Sequence, residues 1–232
     1  MIGVDAWVRR DYVVPGSEAP PSGQGGAVPA ADPASGFDPA DWSSLESAVS
    51  GCTRCELSGS RKQTVFGTGD RGSRWLVVGE APGAEEDKRG EPFVGRAGQL
   101  LSSMLQAIGL ERDQVFITNI LKCRPPKNRD PRPAEAAACA PYLRAQIDLL
   151  APAVIIAVGR VAAQNLLRID TPIGRMRGKR YEYADTGIPV VVTYHPAYLL
   201  RSPGEKAKAW QDLCMARSIM QEQEEAGLER ST

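Results

Sequence analysis

The chain has 232 residues, and its 28 basic and 28 acidic side chains cancel to a formal charge of zero. Such a length suits one domain with a tail, or two small domains, and can bury an ordinary core. No apolar stretch approaches the roughly 18–20 residues of a membrane span, and MIGVDAWVRRDYVV lacks the apolar segment of a secretory signal, so no membrane partner is expected and the cytoplasm is the expected compartment.

The zero total conceals a split. Residues 1–51 hold Arg9 and Arg10 against seven acidic side chains, and the last twelve residues, QEQEEAGLERST, hold four Glu against Arg230. The stretch 52–220 therefore carries eight more basic than acidic groups, which permits phosphate binding without requiring it.

In chain order, Trp7, Val8, Tyr12, Val13 and Val14 come first and read either as a short docking peptide for a protein partner or as an untidy terminus. Pro15 to Ala40 is almost entirely Pro, Gly, Ala and Ser, too poor in apolar surface to offset its ordering entropy, so residues 1–40 are expected to form a disordered extension. A folded domain is expected over 41–220, with an acidic tail over 221–232. Its first helix lies in DWSSLESAVSGC, where Trp42, Leu45 and Val49 share a face and a serine is the expected cap.

Beyond that point short β-branched runs alternate with helical spacing. RWLVVGE (74–80), VFITNI (115–120), AVIIAVG (153–159) and IPVVVTYH (188–195) read as strands. AGQLLSSMLQAIGL, PAEAAACAPYLRAQIDLL and RVAAQNLL read as helices between them. The alternation predicts an α/β domain around a mainly parallel four-stranded sheet, with ligands beyond the carboxyl ends of the strands. Glu80, Asn119 and His195 follow or end three of those runs and are expected to meet in one crevice.

Five cysteines are spread over the domain. Cys52 and Cys55 form a C-x2-C pair, and Cys123 and Cys139 can complete a set of four thiolates. By spacing alone the set fits zinc or an iron-sulfur cluster equally, and a chance or redox-active C-x2-C beside buried free cysteines remains open. Cys214, within AWQDLCMARSIM, falls on an apolar helical face and reads as core.

The loop GEAPGAEEDKRGEPFVGRAGQLL (79–101) follows a strand and precedes a helix. It carries no P-loop and no dinucleotide fingerprint. Its glycines permit close backbone approach to a ligand, and its one aromatic, Phe93, can stack on a planar group. Asn119 offers a donor and an acceptor together, as the edge of an extruded base requires. After it, Lys122, Arg124, Lys127, Arg129 and Arg132 read either as a phosphate-contacting rim or as a solvated basic loop. His195, the sole histidine, reads either as a chemical group or as packing at a strand end.

GEAPGAEEDKRGEPFVGRAGQLL, TNILKCRPPKNRDP and YHPAYLLR, in that order and with the four cysteines around them, resemble the family 4 uracil-DNA glycosylases, the iron-sulfur bacterial and archaeal branch of that superfamily. The resemblance covers roughly residues 42–216. It implies a three-layer α/β/α fold with a central parallel sheet, and removal of uracil from single- or double-stranded DNA at the start of base excision repair. It implies a 4Fe-4S cluster of structural use on Cys52, Cys55, Cys123 and Cys139. Gly79, Glu80 and Ala81 would line the uracil O2 side, Phe93 would stack on the base, Asn119 would read O4 and N3, and Glu86 would lie near C5. His195 would donate to O2 as charge develops there. Leu199 would plug the gap in the DNA and Arg201 would meet a phosphate. Asn128 is the first candidate for orienting the attacking water and Glu80 the second, because Ala81 stands where other branches carry Asp or Asn. A monomer acting at the nucleoid is expected.

Overall fold

β-Branched and aliphatic residues fill four runs so completely that both faces of each strand must be covered. In the computed structural model, which describes residues 37–229, these runs are β2 (Trp75–Gly79), β3 (Phe116–Asn119), β4 (Val154–Val158) and β6 (Ile188–Thr193). They pair in parallel in the order β3-β2-β4-β6. Two short antiparallel strands close the edges, β1 (Thr68–Gly69) against β3 and β5 (Arg180–Tyr183) against β6. Among the described residues the sheet therefore has six strands rather than the expected four, the parallel four lying at its centre.

The strand period of two sorts side chains between two cores. Leu76, Val78, Ile155, Ala157, Val190 and Val192 face α1 (Trp42–Ser50), α4 (Pro133–Leu150) and α5 (Arg160–Leu167). Trp75, Val77, Ile156, Val158 and Val191 face α3 (Arg96–Ala107), α7 (Pro196–Arg201) and α8 (Lys206–Glu229). The three-layer α/β/α arrangement follows. Two short helices, α2 (Ala84–Arg89) and α6 (Ile173–Met176), lie in the connections. The chain leaves β2 toward β3 but leaves β4 toward β6, so successive connections diverge at the carboxyl ends of β2 and β4, where α/β sheets open a ligand crevice.

At the start of the domain Asp41, not a serine, caps α1, its carboxylate accepting the Ser44 N–H at 2.7 Å. The N-terminal extension and its candidate docking segment lie outside the described residues, apart from its last four. There Phe37 packs on Tyr142 with ring centroids 5.5 Å apart. The acidic stretch expected to be a separate tail continues α8 as far as Glu229, and Glu222 and Glu224 pair with Arg180 and Arg74. No helix among the described residues is long and apolar enough to cross a membrane.

Candidate active site

The ends of β2, β3 and β6 converge as their sequences suggest. Glu80, Asn119 and His195 line one cavity of about 450 Å³ together with Ala81, Gly83, Glu86, Phe93, Asn128, Arg129, Tyr198 and Arg201. The fourth parallel strand, β4, delivers no side chain there, because it ends at Gly159. This glycine has φ 101°, and a Cβ on it would meet the His195 Cβ at 3.1 Å. A bare backbone at that strand end gives the imidazole its place.

His195 stands two residues beyond β6 and caps α7. Its Nδ1 accepts the Ala197 N–H at 3.1 Å, so in the neutral ring the remaining proton sits on Nε2. Burial pushes its pKa down to about 4; the nearby Arg201 charge lowers it further and Glu86 opposes both. The ring is a neutral N–H donor at physiological pH, lying parallel to Phe93 within 30° at 5.7 Å between centroids.

Phe93 occupies a left-handed backbone conformation, φ 54°, which a non-glycine residue holds only under constraint. The constraint comes from Glu86, whose Oε1 accepts the Val94 and Gly95 N–H groups at 3.0 and 3.1 Å. It comes also from Gly98, since a Cβ there would fall 1.6 Å from the Phe93 carbonyl oxygen. On the opposite side a Cβ on Gly79 would stand 2.5 Å from Phe93 Cζ and 2.4 Å from Asn119 Oδ1. Gly79 thus lets an aromatic face and a carboxamide approach each other. Asn119 is buried, and its Oδ1 has no hydrogen-bond partner among the described residues. A buried acceptor left without a donor awaits one from a ligand.

On the cavity's other side, the Glu80 pKa is raised to about 7 by burial and then by Asp130, with Arg160 opposing. Arg160 pairs with Asp130 at 2.6 Å. Asn128 stands on an exposed turn at φ 54°, and its Oδ1 accepts from Arg124 Nε at 2.7 Å.

The family model of the uracil DNA glycosylase superfamily matches residues 66–214. The chain belongs to the uracil DNA glycosylase superfamily. It is 43% identical over 181 residues to a protein of Pyrobaculum aerophilum named type-4 uracil-DNA glycosylase, covering 75% of this chain and 92% of that one. Proteins of the same name from Archaeoglobus fulgidus and Thermotoga maritima are 47% and 41% identical, over 67% and 75% of this chain and 81% and 92% of theirs.

Two expected contacts of this superfamily member with DNA need correction. Leu199 is fully buried among the α3 and α8 side chains of the second core, so it cannot enter a DNA stack without unpacking α7. Lys122, expected on the basic rim, is only 1% exposed and donates to Thr118, Asn119 and Gln146. Arg129 and Arg132 are drawn to Glu135 and Glu56. Arg201 is exposed beside the cavity mouth. The sequence reading passed over Tyr198, Gly159 and the Asp130–Arg160 pair. Of these, Gly159 had a signal, since it ends a strand run as the chemical residues do.

The four cysteines of the glycosylase domain, Cys52, Cys55, Cys123 and Cys139, line a second, smaller cavity with Arg61, Lys122 and Tyr142. All are free thiols, and Cys123 and Cys139 are buried. Among the described residues no group of three or more His, Cys, Asp or Glu side chains is drawn up to hold a metal ion. The thiols share a cavity without closing on one point. Burial pushes the Cys139 thiol up to about 11, and Arg61 Nη1 donates to Cys123 Sγ at 3.4 Å.

Proposed function

We propose that this protein is a uracil-DNA glycosylase that extrudes uracil from DNA and hydrolyses its N-glycosidic bond, opening base excision repair. The observation that carries this reading is the neutral His195 Nε2–H beside Phe93 and the unpartnered Asn119 Oδ1. An extruded base stacks on Phe93, Asn119 Oδ1 accepts from N3–H, and its amide donates to O4. The Gly79–Ala81 backbone lines the O2 side. Glu86 holds the Phe93 loop and stands near C5, where a thymine methyl would need room.

As the C1′–N1 bond breaks, its electron pair moves into the uracil ring and toward O2, while the sugar becomes oxocarbenium-like. His195 donates to O2 and stabilises that charge more than the ground state, without being acid enough to protonate the base outright. Water then adds to C1′. Asn128 can orient it but, as a neutral amide, cannot take its proton, whereas Glu80, with a pKa of about 7, can. Arg201 contacts a flanking phosphate. We take the protein to act as a cytoplasmic monomer on the nucleoid.

Single-turnover release of free uracil from a uracil-containing single-stranded oligonucleotide tests the reading. His195→Ala is expected to lose about 10²- to 10³-fold. Wild-type rates in His195→Ala alongside inactive Phe93→Ala and Asn119→Ala would remove His195 from the mechanism.

We further propose that Cys52, Cys55, Cys123 and Cys139 hold a 4Fe-4S cluster. Four free thiols around one cavity, with an Arg61 N–H on one sulfur, suit a group that takes four thiolates and is tuned by hydrogen bonds to them. Bound there, it would tie the loop after α1 to the loop after β3 and to α4.

A further inference from the structure

Removing Leu199 from the DNA surface leaves open what fills the space vacated by an extruded nucleotide. Tyr198 is the only exposed large hydrophobic side chain among the described residues, at 36% exposure, and it lies on the cavity rim three residues from Arg201. On the rim of a base-sized cavity, the exposed face of this ring is placed where a DNA base can stack on it.

The ring is also braced. Tyr194 lies beneath it, with centroids 4.9 Å apart and a 43° tilt. The Arg177 guanidinium sits 4.6 Å from the Tyr194 ring centroid. Arg177 Nε in turn donates to Asp212 Oδ2 at 2.9 Å, and Asp212, 0% exposed, also accepts the Gly178 N–H. A column runs from the exposed ring to a buried carboxylate on α8. A side chain held in place beforehand loses little freedom when it binds, and an aromatic face stacks on any base.

We infer that Tyr198, braced by Tyr194 and Arg177, is the wedge that enters the DNA stack where the uracil nucleotide has left it. The inference rests on the proposed glycosylase reading. In a single strand there is no base pair to open, so the wedge matters chiefly in duplex DNA.

The experiment compares single-turnover uracil release from a duplex and from the matching single strand, for the full chain and for Tyr198→Ala and Tyr198→Phe. In Tyr198→Ala the duplex-to-single-strand rate ratio is expected to fall about 10- to 100-fold, the range of a lost base–aromatic stack. Tyr198→Phe, which keeps the ring, should restore the ratio. A second readout is the fluorescence of 2-aminopurine placed beside the uracil, which rises when its neighbour unstacks. The rise should be smaller in Tyr198→Ala at saturating protein. An unchanged ratio, or equal losses on both substrates, overturns the wedge. If the wild-type chain releases no uracil from either substrate, the glycosylase reading itself has failed, and the 2-aminopurine signal still decides whether Tyr198 opens the stack.

Discussion

Lys122 Nζ donates to the carbonyl oxygen of Asn119 at 2.9 Å from within the core. Thr118 Oγ1 and Gln146 Oε1 also lie within 2.6 Å of Nζ and help fix the end of β3, while burial lowers the Lys122 pKa to about 7. The residue proposed to read the uracil edge is thus held from behind by a lysine three positions on.

Lys122→Met should deprive the Asn119 carbonyl of this buried donor and leave Gln146 Oε1 only the Thr118 hydroxyl. An expected loss of about 1–3 kcal/mol in stability follows from each such unsatisfied group, and equilibrium denaturation measures it. Uracil release should fall too, since Asn119 loses its anchor. Unchanged stability would mean that water replaces the ammonium without cost.

Gly79→Ala tests the closest approach in the site. The new Cβ would fall 2.4 Å from Asn119 Oδ1 and 2.5 Å from Phe93 Cζ, and both side chains are buried. Neither can move aside without leaving the geometry that a stacked base requires. Displacement by about 1 Å costs on the order of 10²-fold in rate. Single-turnover excision should fall by about that factor while the circular dichroism spectrum is kept.

The central strands were legible because parallel strands covered on both faces are largely apolar, as WLVVG and VIIAV are throughout and FITN is in its first two residues. The edge strands were not, since β1 has two residues and β5 is RYEY, of which only Tyr183 is buried. Glu80, Phe93, Asn119 and His195 could be gathered from the sequence because strand ends in such folds meet at one crevice. The outward side chain of YLL could not. Tyr198, Leu199 and Leu200 are all apolar enough to point either way, and the choice depends on the rotation of α7 set by His195 as cap and Pro196 at the first turn. Lys122 misled for a related reason. It shares the charge of its neighbours, but it lies only three residues beyond the end of β3, and its side chain turns back to Thr118 and Asn119 rather than out with the basic loop.

The cysteine proposal predicts a separation between thiols. Serine at Cys123 or Cys139 should abolish bound iron and acid-labile sulfide in purified protein and lower the melting temperature. Cys214→Ser should keep both, because Cys214 lies on α8, away from the four-thiol cavity. Retention of full iron and sulfide content in Cys123→Ser would rule out a four-cysteine cluster.

Of the groups that line the cavity itself, Glu80 and His195 predict one pH limb rather than two. Glu80 takes a proton from water only as the carboxylate, so excision should rise with pH through about 7 and then level off. His195, depressed to about 4, is already neutral across that range and adds no limb above pH 5. Because Asp130 helps hold the Glu80 proton, Asp130→Asn should move the limb to lower pH, while Glu80→Gln should flatten it and lower the plateau. The same His195 depression bears on stability. Between its unfolded value near 6.5 and about 4 the unfolded chain binds the proton and the folded one does not, so this contribution is lost as pH falls through that window. His195→Asn should remove that part of the acid destabilisation in denaturation curves measured between pH 7 and 4. A limb near pH 7 that survived in Glu80→Gln would instead assign the proton transfer to another group.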